Sequence, residues 1–319
     1  QTNLEQTASY GTDEYSASAK EKIRAACECP DARVYFTVGG TQANYAVLDS
    51  LLKNYEGVLA ADTGHISVHE AGAIEFSGHK VLTMPGKDAK LDPADVEKYM
   101  EAFYADPTWE HMVTPGAVYI SHPSEYGTLY SLAELKGLRA VCDKYGMKLY
   151  LDGARLGYAL AAENTDVTLA HIARLCDAFY IGGTKVGALF GEAVVFTHGD
   201  GQRFFTEMKQ HGAMLAKGRM LGIQFDVLFT DDLYTRIAAH ADRLAMRIKA
   251  AMLEKGYRLY IDSYTNQQFF VIANEKLAEL EGLAVVDNWG AFDENSSVVR
   301  ITTSWATTPE MADYLLGLM

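Results

Sequence analysis

Along the first two thirds of the chain, short runs of β-branched and aromatic residues alternate with longer stretches whose apolar positions recur at helical spacing. Val34-Tyr35-Phe36-Thr37-Val38 reads as a strand that ends at Gly39-Gly40, and Ala43, Val47, Leu48 and Leu51 then mark one face of a helix over 41–53. Strands are expected at 58–61 and 80–84, around a helix at 67–76. Asp92 and Pro93 open another helix, the first as its cap and the second in the first turn, where its missing N–H is not needed. Residues 118–121 read as a buried strand before a helix over 131–145, and further strands fall at 148–151, 178–181 and 194–196. After about residue 230 the texture changes to a long amphipathic helix at 233–255, strands at 269–273 and 298–302, and a closing helix at 309–318. The chain carries no internal repeat and no low-complexity stretch.

Strands that alternate with helices in this way imply a mostly parallel sheet covered on both faces. The change of texture implies a smaller α+β unit behind it, with a large domain over 10–231 and a small one over 232–319. A length of 319 residues with 49% hydrophobic content suffices for both cores. The charge of 28 − 42 = −14 argues against nucleic acid as a partner, which needs clustered Lys and Arg. The acidic residues are scattered and read as a solvated surface. No apolar run approaches the ~20 residues of a membrane span, and no signal peptide is expected at the start. Cys27-Glu28-Cys29 is too close for a zinc knuckle and no second pair follows it, so no metal site is expected. With Cys142 and Cys176, these read as free thiols in a reducing, cytoplasmic compartment.

Three segments fall at the carboxyl ends of expected strands, where open α/β sheets bind ligands. In Gly39-Gly40-Thr41-Gln42-Ala43-Asn44 the backbone can approach a ligand, and a helix N-terminus offers free N–H groups to a phosphate. A plain strand-to-helix turn has the same appearance. In Tyr150-Leu151-Asp152-Gly153-Ala154-Arg155, Asp152 could cap a helix, join a structural ion pair, or hold a proton on a pyridine nitrogen. In Phe179-Tyr180-Ile181-Gly182-Gly183-Thr184-Lys185, a lysine follows a buried strand among glycines, where lysines are seldom placed. Desolvation there lowers the amine's pKa and makes it a nucleophile. A phosphate cradle, a ring-nitrogen partner and an amine occur in the order expected of pyridoxal-phosphate enzymes of the aspartate-aminotransferase fold.

Gly40-Thr41-Gln42-Ala43-Asn44, His65 with Glu70-Ala71-Gly72-Ala73, Asp152-Gly153-Ala154-Arg155 and Lys185, together with Tyr10-Gly11 near the start, resemble the low-specificity threonine aldolases and their β-eliminating-lyase relatives. The resemblance runs over nearly the whole chain. It implies the α/β fold of pyridoxal-phosphate-dependent transferases (fold type I): a mostly parallel seven-stranded sheet with helices on both faces, plus a smaller C-terminal α+β domain. It also implies that Lys185 holds pyridoxal 5'-phosphate as a Schiff base and that Asp152 pairs with the pyridine nitrogen. His65 would stack on the ring and move protons, and Gly40 and Thr41 would hold the phosphate. Arg155 would contact the cofactor or the substrate carboxylate, and Arg300, in Val299-Arg300-Ile301-Thr302, would grip that carboxylate as a bidentate fork. The activity implied is cleavage of threonine or allo-threonine to glycine and acetaldehyde, by a homodimer or homotetramer with its site at the dimer face. The same fold also supports β-elimination or another reaction on a small amino acid. A binding protein that keeps the fold without catalysis is the reading from another class, and the intact Lys185, Asp152 and Arg155 speak against it.

The chain departs from the family pattern in places. In Ser121-His122-Pro123-Ser124-Glu125-Tyr126-Gly127, Glu125 stands where the family usually has a histidine near the substrate hydroxyl. Thr184 replaces the commoner serine before the lysine. No phosphate-binding arginine is evident after Lys185, and Lys217, in Ala216-Lys217-Gly218-Arg219, is expected to substitute for it. The family also starts with a short segment that reaches the active site, and Gln1 begins after it.

Overall fold

The expected strands assemble into one seven-stranded sheet, in a computed structural model that describes residues 2–319. Its members are β1 (Arg33–Thr37), β2 (Glu56–Ala61), β3 (Val81–Met84), β4 (Thr114–Ser121), β5 (Lys148–Asp152), β6 (Ala178–Gly182) and β7 (Glu192–Phe196). The order is β1-β7-β6-β5-β4-β2-β3, with β7 antiparallel to β1 and β6 and the other pairs parallel. A second, wholly antiparallel sheet follows the long helix Leu233–Glu254. It consists of β8 (Arg258–Ile261), β9 (Gln267–Ala273), β10 (Asp287–Ala291) and β11 (Ser296–Thr302), in the order β10-β11-β9-β8. Among the described residues no helix is long and apolar enough to cross a membrane.

Strand periodicity divides the side chains of the large sheet between two cores, because successive residues face opposite sides. Leu149, Leu151, Phe179 and Ile181 enter one core; Tyr119, Tyr150, Ala178 and Tyr180 enter the other. The second core is closed by the helix Gly40–Leu51, which contributes Ala43, Ala46 and Val47. Three tyrosines therefore lie buried on one sheet face, and their hydroxyls need partners there.

One expected helix is corrected. Residues 67–76 form two single-turn pieces, His65–Val68 and Ala73–Phe76, broken where Ala71 (φ 51°) and Gly72 (φ 72°) take the left-handed conformation. The break turns Glu70 inward, where it is 5% exposed. Helices that the apolar pattern did not announce include Glu14–Ala26 and Arg219–Leu228, which pack on one another. The first buries only Ser16, Ala19 and Ile23, too small a stripe to read from the sequence.

β5 and β6 run closest just after Asp152. A Cβ on Gly153 would lie 2.0 Å from the Tyr180 carbonyl oxygen, so no side chain fits there without parting the two strands. Gly153→Ala should therefore destabilise the chain by about 3 kcal/mol, from overpacking against backbone. Urea unfolding measures this, and a variant within about 0.5 kcal/mol of the parent, the range of a neutral surface change, would show that the strands are not so closely apposed.

Candidate active site

Two adjoining cavities of about 500 and 290 Å³ open at the carboxyl ends of the parallel strands, and His65, Glu125, Arg155 and Lys185 line both. The smaller reaches down to Gly40, Thr41 and Asp152. The larger extends to Trp289 and Arg300 on the second sheet. The fold thus brings together every residue the sequence marked for chemistry, except Lys217. Lys217 is exposed in the turn before Arg219–Leu228 and lines neither cavity, so within this chain it does not take the place of a phosphate-binding arginine.

Asp152 is the last residue of β5 and is 3% exposed. Its Oδ1 accepts from the Tyr180 hydroxyl at 2.6 Å and the Ala154 N–H at 2.9 Å. Its Oδ2 accepts from the Tyr119 hydroxyl at 2.7 Å and from Nδ2 of Asn44 at 3.0 Å. Burial alone would push this carboxyl up, but the donors outweigh it and hold the group below the usual carboxylate range. The result is a buried fixed charge.

Lys185 follows β6 through Gly182-Gly183-Thr184, and its main chain is pinned where the Tyr158 hydroxyl donates to the Lys185 carbonyl at 2.5 Å. The Thr184 hydroxyl accepts the Gly191 N–H at 2.9 Å and holds the same turn. Burial and the nearby Arg155 charge push the Lys185 ammonium down to about 8, so a large share of the amine is neutral at mildly alkaline pH. Glu192 opens β7 beside this turn, accepts the Gly183 N–H at 2.8 Å, and is pushed up to about 7 by burial. The sequence reading missed Glu192, although a carboxylate opening a wholly apolar run was its signal.

Glu125 is 8% exposed, and its Oε1 accepts both the Ser121 hydroxyl at 2.6 Å and the His65 N–H at 2.9 Å. Burial raises its pKa, against the lowering effect of those donors. Arg155 forms no side-chain hydrogen bond or ion pair with the described residues, which leaves its guanidinium free for an anion. Arg300 is engaged: one oxygen of Asp287 accepts from its Nε at 2.8 Å and also from Nη2, and Gln267 Oε1 accepts from Nη1 at 2.9 Å. The Trp289 ring lies 4.8 Å from the guanidinium carbon. Asp287 and Trp289 escaped the sequence reading because β10 is mostly exposed and shows no alternation.

This donor set fits a ligand that combines an anionic phosphate, a basic ring nitrogen and a carbonyl group. The unpaired N–H groups of the first turn of Gly40–Leu51 suit the phosphate, the fixed Asp152 charge suits a protonated ring nitrogen, and the Lys185 amine suits the carbonyl.

The chain is 32% identical over 304 residues to a low-specificity L-threonine aldolase of a Pseudomonas species, an alignment that covers 93% of this chain and 85% of the relative. A solved structure of Leishmania major threonine aldolase superposes with a TM-score of 0.95 at 42% identity, covering 99% of this chain and 92% of the other. Serine palmitoyltransferase of Sphingomonas wittichii, at 14% identity and a TM-score of 0.74 with 99% and 79% coverage, shares the fold alone, that of fold type I pyridoxal-phosphate enzymes. The profile of the beta-eliminating lyases matches residues 2–275, and the chain belongs to that family.

Proposed function

We propose that this protein is a pyridoxal-phosphate-dependent lyase that cleaves the Cα–Cβ bond of threonine or allo-threonine to give glycine and acetaldehyde. The observation that carries the reading is Lys185, an amine lowered to about 8 at the end of a buried strand, in one cavity with the Asp152 charge and a free Arg155. Kinship with threonine aldolases selects the bond.

When bound, pyridoxal phosphate supplies an electron sink for the pair left on Cα. Lys185 would hold its aldehyde carbon, Asp152 the proton on its ring nitrogen, and Gly40 and Thr41 its phosphate. His65, on the wall of both cavities, would lie against the ring. Arg155 would take the substrate carboxylate, with Arg300, held in place by Asp287, on the wall of the same cavity. Glu125, on the wall of both cavities, would accept a hydrogen bond at the substrate's β-substituent and so rank the substrates. Assembly as a homodimer or homotetramer belongs to the same reading: Val38, beside the smaller cavity, and Leu189, which precedes the cavity residue Phe190, stand 38% and 84% exposed, as an oligomer face would need. Four free thiols support a cytoplasmic location.

Lys185→Ala should remove covalent attachment of the cofactor and nearly all turnover. Borohydride reduction of the parent followed by peptide mass spectrometry should place the pyridoxyl group on Lys185, and a label on another lysine overturns the assignment. Asp152→Asn should keep the fold but lose at least about tenfold in kcat, each factor of ten being ~1.4 kcal/mol of barrier. Turnover within about threefold of the parent, below that step, would exclude the role. Glu125→Gln should change the ranking of threonine, allo-threonine, serine and phenylserine as substrates. An unchanged ranking with unchanged rates would place Glu125 outside the chemistry.

A further inference from the structure

Glu70 has no part in the reading above, yet its surroundings are those of a working group. Its side chain is wholly enclosed, and a buried carboxylate is costly unless it is paired. Oε1 receives two contacts, His65 Nδ1 at 2.7 Å and Asn44 Nδ2 at 2.7 Å, while Oε2 has no partner among the described residues. Asn44 is itself fully buried, and its Nδ2 also donates to Asp152 Oδ2 at 3.0 Å. Its Oδ1 accepts from the Tyr150 hydroxyl at 3.0 Å, which settles the amide's orientation; turned over, the carbonyl would face two carboxylates. A single hydrogen-bonded chain therefore runs from His65 through Glu70 and Asn44 to Asp152.

The proton positions follow from donor and acceptor types. An ionised Glu70 only accepts, so Nδ1 of His65 must carry a hydrogen. In the neutral imidazole the lone pair then belongs to Nε2, which has no hydrogen-bond partner among the described residues, on a side chain that lines both cavities. This is the arrangement of a general base oriented by a third group.

We propose that Glu70 is the positioning residue for proton transfer: it fixes His65 as the Nδ1–H tautomer, so that Nε2 takes the proton of the substrate β-hydroxyl. The inference rests on the cleavage reading. In the step, the O–H bond breaks and its proton passes to Nε2. The freed pair forms the second C–O bond of the aldehyde, and the Cα–Cβ pair stays with Cα. The proton held on His65 is then available to Cα, which closes the balance as glycine.

The charged and titratable groups around His65 are Glu70, Glu125 at its backbone N–H, His69 with ring centroids 5.6 Å apart, Asp152, and Arg155 and Lys185 on the shared wall. The Glu70 hydrogen bond is the main cause that raises the His65 pKa, helped by Asp152 and opposed by burial and Lys185. Removing the Glu70 charge must therefore lower it. Since the base acts when neutral, the acid limb of kcat moves to lower pH as well.

Two measurements on the full chain test this. In parent protein with ¹⁵N-labelled histidine, the neutral His65 ring should show hydrogen on Nδ1; the Nε2–H tautomer overturns the proposal without any variant having to fold. Glu70→Gln should lower the His65 titration midpoint by about one pH unit. It should also lower kcat at least about tenfold and shift the acid limb in the same direction, with Glu70→Asp restoring part of each. An unmoved midpoint or an unmoved limb overturns it too. A parent that shows the Nδ1–H tautomer but cleaves no β-hydroxy amino acid would instead fail the cleavage reading and leave the tautomer assignment standing.

Discussion

The whole site is organised around one buried negative charge, that of Asp152. Such a charge is tolerated only when donors replace the water it has lost. Here they come from three directions: Tyr119 on β4, Tyr180 on β6 and Asn44 on the helix that covers them. The tyrosines reach the carboxylate because strand alternation sends them to the same sheet face. In the β4–β5 register Tyr119 lies beside Tyr150 and Ser121 beside Asp152. A slip of one residue would turn these side chains to the other core and leave the carboxylate stranded. Secondary structure and electrostatics are therefore a single constraint here.

Much of this was legible from residue order. Apolar runs closed by glycines located the strand ends, and Asp152 and Lys185 stood out as charged residues in places where burial was expected. What escaped detection had a common cause: its meaning lay in a partner distant in sequence. Glu70 stood in a segment that carried the family resemblance but was given no role, and only the left-handed turn at Ala71-Gly72 aims it at His65 and Asn44. Asn44 lay within a recognised segment, but the two carboxylates sharing its amide are 26 and 108 residues away. Asp287 sits on an exposed strand with no pattern to mark it.

The larger cavity also explains why Arg300 is not bare. Arg155 and Lys185 already bring positive charge to the same wall, and beside the effect of burial the charges of Arg155 and Arg300 lower the proton affinity of Lys185. Asp287 neutralises Arg300 and, with Gln267 and the Trp289 ring, fixes the plane of its guanidinium. A fork held in one plane loses little freedom when a carboxylate arrives.

The placement of Asn44 also bears on how the protein ages. Asparagine is among the thermally labile residues, since loss of its amide nitrogen leaves an acid. At this position the product would be a third carboxylate pressed between Glu70 and Asp152, and no donor would remain between them. The usual route to that loss is attack by the next residue's backbone nitrogen on the side-chain amide. Here that nitrogen belongs to Tyr45, inside the helix Gly40–Leu51, whose hydrogen-bonded ladder holds it away from the side chain. The helix whose first turn lines the smaller cavity thus also protects, one turn further on, the amide that keeps the two carboxylates apart.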